Sequence, residues 1–171
     1  MKDVIDLYHG TTKDNAKIIT DLGINVNANL HPGDFGRGFY LAPSISQVKF
    51  HATKRRRNVE KNGDGVILHY RITKEDMEIL NPLEFKFKTY DWGNMIYKQR
   101  VLEQDTKDNV IIGPIADGSI PGIVNSCRAG VIDKNDFIRA AAYGELGIQY
   151  VFKTIEAIDK LVLVEAIKEW W

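Results

Sequence analysis

Short apolar and aromatic runs recur along the chain, many of them bounded by Gly, Pro, Asn or Asp, and this pattern is typical of β-strands. The strands predicted from these runs cover residues 4–8, 36–42, 66–72, 77–80, 109–112, 149–152 and 161–168. No Gly-x-Gly-x-x-Gly sequence follows the first strand, and the predicted strands do not alternate regularly with helices. A doubly wound dinucleotide-binding fold is therefore disfavoured, and the pattern indicates an α+β protein.

Apolar residues at helical spacing lie between several of these strands. The helices predicted from this spacing cover residues 13–22, 44–57, 91–104, 133–142 and 154–160. Thr12 is the expected N-cap of the first helix, and Gly23 is its expected end. Ser44 and Gln47 form a Ser-x-x-Gln capping box at the start of the second helix, which ends in the basic run Lys54-Arg55-Arg56-Arg57.

The composition limits the possible classes of protein. The 171 residues are the length of one ordinary domain, so we expect a single domain over residues 1–171. The 23 Lys and Arg residues balance 23 Asp and Glu residues, which argues against a general nucleic-acid binder. Cys127 is the only cysteine and the four histidines lack metal-ligand spacing, so we predict no disulfide and no metal site. Because neither a transmembrane run nor a signal peptide is visible, we expect a cytoplasmic protein with no membrane partner.

Three short segments place glycine, polar and aromatic residues on or beside predicted strands. They are Tyr8-His9-Gly10-Thr11, Gly36-Arg37-Gly38-Phe39-Tyr40-Leu41-Ala42 and Gln149-Tyr150-Val151-Phe152. Glycine permits close approach of the backbone to a ligand, and a strand holds a side chain more firmly than a loop does. The order and spacing of the three segments, more than any one of them alone, indicate a binding site.

This ordered set resembles the ADP-ribosyltransferase superfamily, in its diphtheria-toxin and poly(ADP-ribose)-polymerase branch with a His-Tyr-Glu core. The chain is most similar to a small bacterial family of single-domain members, which shares the segment Ile112-Gly113-Pro114-Ile115-Ala116-Asp117 and a Gln-Tyr-x-Phe ending. The resemblance implies an ADP-ribosyltransferase-like split β-sandwich with a central NAD cleft and flanking helices. It also implies an enzyme that uses NAD as co-substrate and transfers one ADP-ribose to a macromolecular target, either a protein or a nucleic acid. Family habit adds the expectation of a toxin or effector with a small antitoxin as its partner.

Carried over position by position, the resemblance assigns most of the contacts to NAD. His9 would hydrogen-bond the adenosine-side or the nicotinamide-side ribose. The backbone N–H and C=O of Gly10 would pair with the nicotinamide carboxamide, and Thr11 would support this site. Tyr40 would stack on the nicotinamide ring.

The implied NAD site has further members in and after the second segment. Gly38 is assigned to it as a position of close backbone approach. A second stacking aromatic is expected about three helical turns after Tyr40, where the chain has Phe50 and His51. The spacing favours His51.

The third position of the core departs from the pattern of the superfamily. Most members of the branch have a glutamate where this chain has Gln149. A glutamine keeps the contact to the ribose 2′-hydroxyl but lacks the negative charge that stabilises a developing ribosyl cation. Glu145, four residues upstream in what would be the target-facing loop, is an alternative source of a carboxylate. A slow enzyme, or one limited to single transfers, is the expected result.

Three other functions stay open at this point. Without the glutamate, the chain could be a catalytically silent module that binds NAD or ADP-ribose. With water as the acceptor, it could be an NAD glycohydrolase. The run Lys54-Arg55-Arg56-Arg57 suits a solvated helix end, but it could also bind a nucleic acid through phosphate contacts.

Overall fold

Two β-sheets, built from strands far apart in the sequence, form the frame of the protein. The computed structural model describes residues 3–28, 31–50, 65–116 and 118–168. One sheet consists, in spatial order, of β1 (Val4–Thr12), β3 (Gly65–Thr73) and β7 (Val162–Lys168). The other consists, in spatial order, of β2 (Phe39–Leu41), β6 (Ile148–Phe152), β5 (Val110–Pro114) and β4 (Leu83–Glu84). Neighbouring strands are antiparallel, except that β4 and β5 are parallel.

Helices connect and flank these strands. They are α1 (Lys13–Leu22), α2 (residues 45–50 of the described chain), α3 (Lys74–Ile79), α4 (Tyr90–Arg100), α5 (Ile120–Arg128), α6 (Lys134–Ala141) and α7 (Ile155–Ile158). Strands and helices are interspersed without a regular alternation, so the predicted α+β class is confirmed. Within the described ranges, no helix is both long and apolar enough to cross a membrane.

Most predicted elements are present with slightly shifted ends, but one has the wrong type. Residues 77–80, predicted as a strand, belong largely to α3. The Oγ of Thr73 accepts a hydrogen bond from the N–H of Asp76 at 3.0 Å and caps this helix. Met77 and Leu80 are both buried, three residues apart on one helical face. A short apolar run fits the period of a strand and that of a helix, and here the capped helix forms.

Two other helices differ from the prediction. Helix α4 ends at Arg100 rather than at residue 104. Helix α5 is absent from the predicted elements, because Pro121 and Gly122 are residues that usually disfavour a helix. Both stand in its first turn. Proline is tolerated there, since the N–H that it lacks would have no partner within the helix. The N-caps Thr12 and Asp133 are confirmed, because each accepts a hydrogen bond from the N–H three residues further on.

The second sheet is packed on both of its faces. Along β6, Phe152 faces a core that is shared with the first sheet and includes Leu7. Its neighbour Val151 faces the opposite core, which contains Trp92 and Phe137. This alternation follows from the period of two along a strand. Because all five side chains are completely buried, β6 is a firmly held strand.

The two sheets meet at a backbone bridge. Tyr8 of β1 and Ala42, directly after β2, exchange two hydrogen bonds of 2.8 Å each. One residue beyond the bridge, the side chain of His9 occupies the space between the strands and bonds the backbone of Tyr40. The strands therefore separate at this point, and a cleft opens between them.

The loop of residues 33–38 before β2, here called the entry loop, is held by a side chain from the end of β6. The Nζ of Lys153 donates to the carbonyl oxygens of Phe35 and Arg37 at 2.6 and 3.1 Å. It also pairs with a carboxylate oxygen of Asp105 at 2.6 Å. The Lys153 side chain is 3% exposed and that of Asp105 is 46% exposed, so the pair has one buried and one wet end.

Two glycines allow the entry loop to approach β6 closely. Gly36 has a φ of 87°, and a Cβ atom there would lie 2.3 Å from the Oε1 of Gln99 and 2.8 Å from the Nζ of Lys153. A Cβ atom at Gly38 would lie 2.7 Å from a side-chain carbon of Val151 and 2.9 Å from the carbonyl oxygen of Phe152. Any larger residue at these positions would displace the loop from the strand.

We expect Lys153→Met to lower the free energy of unfolding by about 3 kcal/mol, because it removes the buried partner of an ion pair and leaves two carbonyl oxygens without their donor. Asp105→Asn removes the counter-ion of Lys153 but keeps an amide oxygen as acceptor at the half-exposed end of the pair, so it should cost less, about 2 kcal/mol. Urea denaturation followed by circular dichroism measures both values. Equal stabilities of Lys153→Met and the wild type would contradict the role given to Lys153.

Candidate functional site

A cleft of about 250 Å³ lies between β1 and β2, next to the bridge that joins the two sheets. It is lined by Tyr8, His9, Gly10, Tyr40, Leu41, Ala42, Gln47, Val48, Ile115 and Gln149. Three strands, β1, β2 and β6, contribute most of this lining. The structure thus brings together His9, Gly10, Tyr40 and Gln149, which the sequence assigns to one binding site.

The imidazole of His9 is fixed in one orientation between the strands. Its Nδ1 donates to the carbonyl oxygen of Tyr40 at 2.8 Å. Because a carbonyl oxygen only accepts, the neutral ring carries its proton on Nδ1, and Nε2 is the acceptor nitrogen. The ring also contacts the ring of Phe39, with 4.4 Å between the centroids. An imidazole with a set tautomer is suited to bind a ligand hydroxyl.

The backbone of Gly10 presents a donor and an acceptor to the cleft. Successive residues of an antiparallel strand direct their N–H and C=O groups to opposite edges. Those of Tyr8 point to β2, where they bond Ala42, and β1 keeps its register through Thr12. The N–H and C=O of Gly10, two residues on, therefore point to the same side, into the cavity that Gly10 lines. A donor and an acceptor side by side can bind a carboxamide.

Tyr40 offers its ring to the cleft while its hydroxyl is engaged elsewhere. The hydroxyl donates to the carbonyl oxygen of Gly36 at 2.6 Å and accepts from the N–H of Phe35 at 3.2 Å. Burial, followed by the nearby charge of Asp34, raises the pKa of Tyr40 well above that of a free tyrosine. The hydroxyl therefore stays protonated as a donor to the entry loop, and the ring is the part of Tyr40 that can meet a ligand.

Gln149 is 6% exposed, and two acceptors fix the orientation of its amide. The Nε2 donates to the Oδ2 of Asp34 at 3.0 Å and to the carbonyl oxygen of Pro114 at 3.4 Å. The same Asp34 oxygen accepts the N–H of Ala116 at 2.9 Å. Because both amide protons are engaged by acceptors, Oε1 is the atom that Gln149 can offer to a ligand.

A second cavity of about 470 Å³ adjoins the cleft, and His9 and Tyr40 line both. Thr11 and Gly38, two more of the residues assigned from the sequence, line this larger cavity. Arg100 brings a guanidinium group to it. The two cavities meet at His9 and Tyr40.

Two residues assigned from the sequence, Glu145 and Phe50, lie apart from the cleft. Glu145 is exposed and lines a separate cavity of about 410 Å³, so the structure does not bring it to Gln149. Phe50 is 56% exposed and is absent from the described lining of the cleft and of the second cavity. His51 and the run Lys54-Arg55-Arg56-Arg57 lie outside the described residues. In the part of the chain that the structure describes, no three His, Cys, Asp or Glu side chains are grouped to hold a metal ion.

The predicted capping box at Ser44 is half correct. The Oγ of Ser44 accepts the N–H of Gln47 at 3.2 Å, as the box requires. The side chain of Gln47 does not return to the cap, however, and its Nε2 donates to the carbonyl oxygen of Ile148 at 2.6 Å. Gln47 thus ties α2 to the start of β6 and closes one edge of the cleft.

The sequence pattern does not point to Asp34 or Arg100 as residues of the site. Asp34 follows His31-Pro32-Gly33, where an aspartate has the appearance of an ordinary turn residue. Arg100 is the last residue of a helix, where a basic residue is common. The one local signal for Asp34 is its position two residues before the Gly36–Ala42 segment.

The chain matches a known family over most of its length. The family model described as "Protein of unknown function (DUF3990)" matches residues 5–163, a range that includes every residue described as lining the cleft. A comparison with curated proteins finds no match. Because the family match covers far more than half of the chain, the protein belongs to the DUF3990 family.

Proposed function

We propose that this protein is an NAD-dependent mono-ADP-ribosyltransferase whose site is the cleft between β1 and β2 together with the adjoining cavity. The observation that carries the proposal is the convergence of His9, Gly10, Tyr40 and Gln149 on one cavity, although they come from three strands far apart in the sequence. These are the positions at which the chain resembles the ADP-ribosyltransferase superfamily. The split β-sandwich of that superfamily is part of the proposal, since the two sheets separate beside this cavity.

The smaller cavity suits the nicotinamide end of NAD. The N–H and C=O of Gly10 match the acceptor and donor of a carboxamide. The ring of Tyr40 provides a surface for stacking on the nicotinamide ring. Because the Tyr40 hydroxyl is already bonded to the entry loop, little side-chain entropy is lost when a ligand binds there.

The larger cavity suits the remainder of NAD. His9 lines both cavities, so its imidazole would meet a ribose hydroxyl of a bound NAD. Arg100 supplies a positive charge for the diphosphate, which is the group that guanidinium binds best. Thr11 and Gly38 complete the wall on the sides of β1 and β2.

The reaction would replace one bond at the ribose C1′ by another. The bond from C1′ to the nicotinamide N1 breaks and its electron pair stays on N1, so the pyridinium departs as neutral nicotinamide. A lone pair of the acceptor forms the new bond to C1′, and the acceptor gives up a proton. The tasks left to the protein are to hold the nicotinamide ring, to orient the ribose and to stabilise the positive charge that develops on it.

Gln149 favours a second candidate function in the same cleft, namely a module that binds NAD or ADP-ribose without cleaving it. The amide of Gln149 can orient the ribose 2′-hydroxyl, but it carries no charge of its own. An NAD glycohydrolase differs from the transferase only in using water as the acceptor. For the transferase, we propose a macromolecular acceptor, either a protein or a nucleic acid.

We expect the purified wild type to release nicotinamide from NAD, and His9→Ala to release it at least about tenfold more slowly, since a ribose contact made in the transition state is lost. His9→Asn is the matched control for folding, because its Nδ2 keeps the donor to the Tyr40 carbonyl while Nε2 is removed. It should melt like the wild type and be as slow as His9→Ala. Chromatography of NAD, nicotinamide and ADP-ribose measures the rates.

The same experiment separates the candidate functions. Nicotinamide release with an ADP-ribosyl adduct on an added protein or nucleic acid supports the transferase, and release of free ADP-ribose alone indicates the glycohydrolase. Binding without release over hours indicates the silent module. If the folded wild type neither binds NAD nor releases nicotinamide from it, NAD is not the ligand of this cleft.

Tyr40→Ala should weaken NAD binding by about tenfold or more, because the loss of one aromatic stack is worth about 1–3 kcal/mol. Tyr40→Phe keeps the ring and removes only the hydrogen bonds to the entry loop. It should therefore bind NAD within about threefold of the wild type while losing about 1–2 kcal/mol of stability. Titration calorimetry and urea denaturation measure the two effects. Equal affinities of Tyr40→Ala and the wild type would place the nicotinamide elsewhere.

A further inference from the structure

Asp34 is a buried carboxylate whose hydrogen-bond partners are neutral. It is 8% exposed, and its Oδ2 accepts from the N–H of Ala116 and from the Nε2 of Gln149. Within the described ranges, no Lys, Arg or His side chain lies within ion-pair distance of it. A buried charge without a counter-ion is costly to keep. Its location directly behind a residue of the cleft therefore requires a physical explanation.

The attachment of the entry loop to β6 does not by itself explain why position 34 has a charged side chain. Lys153 already holds the loop through Phe35 and Arg37, and it has its own counter-ion in Asp105. A neutral acceptor at position 34, such as an asparagine oxygen, could receive the N–H of Ala116 equally well. What a carboxylate adds at this position is negative charge and an acceptor that cannot turn into a donor.

The carboxylate also decides which end of the Gln149 amide meets a ligand. Asp34 and the carbonyl of Pro114 can only accept, so the Gln149 amide must turn its NH₂ group to them and its oxygen away from them. A hydrogen bond to a charged acceptor polarises the amide and increases the negative partial charge on Oε1. Asp34 thus acts on the one atom that Gln149 offers to the cleft.

We propose that Asp34 is a positioning residue that turns the Gln149 oxygen to the ribose and supplies the negative charge that Gln149 lacks. Together, the two side chains would do what a single glutamate at position 149 would do. The inference rests on the proposed function, since it names the source of charge for that reaction. The charge acts through one hydrogen bond, so it stabilises the developing ribosyl cation without direct contact with the substrate.

The charge of Asp34 also acts on Tyr40, a second residue of the cleft. After burial, the charge of Asp34 is the largest cause that raises the pKa of the Tyr40 hydroxyl. Tyr40 lines the same cavity as Gln149 and lies on the neighbouring strand of the same sheet. A cation in this cavity would therefore lie close to the charge of Asp34.

Exchange of the two functional groups tests the proposal. Asp34→Asn combined with Gln149→Glu moves the carboxylate from position 34 to position 149 and reverses the hydrogen bond between the two side chains, because the amide at position 34 becomes the donor. Asp34→Asn alone leaves two amides and no charge, whereas Gln149→Glu alone places two carboxylates about 3 Å apart, where they cannot both ionise. Each single variant should release nicotinamide at least about tenfold more slowly than the wild type, mainly through kcat. The double variant should recover to within about threefold of the wild type or exceed it.

Two further measurements distinguish a purely structural role of Asp34 from the proposed role in the reaction. Asp105→Asn loosens the same loop without touching Gln149, so it should lower stability but keep the release rate within about threefold. Calorimetry with NAD should show affinities within about threefold of the wild type for Asp34→Asn, since the charge acts mainly in the transition state. Thermal melting shows whether each variant is folded.

Two results would overturn the inference while the proposed function stands. The first is a wild-type protein that cleaves NAD and an Asp34→Asn variant that cleaves it at the same rate. The second is a folded double variant that is as slow as the single variants. If the wild type itself neither binds nor cleaves NAD, the proposed function fails first and the role of Asp34 fails with it.

Discussion

The attachment of the entry loop to both ends of β6 is the interaction on which the geometry of the cleft depends. Lys153 binds the backbone of the loop after one end of the strand, and Gln149 binds Asp34 near the other end. Because β6 is packed on both faces, it is a rigid reference for the loop and for β2, which follows the loop. The position of Tyr40 relative to β1, and hence the width of the cleft, follows from this attachment. A site placed on firmly held strands keeps its geometry better than one placed on loops.

The two attachments contain opposite charges, and they differ in whether a charged partner compensates the charge. Lys153 is paired with a carboxylate and bonded to two carbonyl oxygens, so its charge is compensated within the fold. Asp34 has neutral partners, so its charge is not compensated by a cation among the described residues. A fold under pressure for stability alone would gain little from such a carboxylate, since buried charges can often be replaced by neutral groups without loss. We therefore interpret Asp34 through the chemistry that we propose for the cleft.

The sequence predicts the parts of this structure that depend on local patterns, and it fails where distant segments meet. His9, Gly10, Tyr40 and Gln149 can be located because each lies in a short segment with a recognisable composition. Asp34 cannot be, because its role depends on a contact with a residue 115 positions further along the chain. The strand predicted at residues 77–80 is wrong for a local reason. A run of four residues fits the period of a strand and that of a helix equally well, and here the cap at Thr73 stabilises the helix. The NAD chemistry stays a prediction that the geometry supports.

A crystal structure with a non-hydrolysable NAD analogue tests the central claim most directly. We expect the carboxamide on the backbone of Gly10, the nicotinamide ring against Tyr40, and the ribose 2′-hydroxyl within hydrogen-bond distance of the Gln149 Oε1. We also expect Gln149 to keep its bond to Asp34 in the complex. An analogue bound outside this cleft, or a Gln149 amide that leaves Asp34 and turns its NH₂ group to the ribose, would contradict the account.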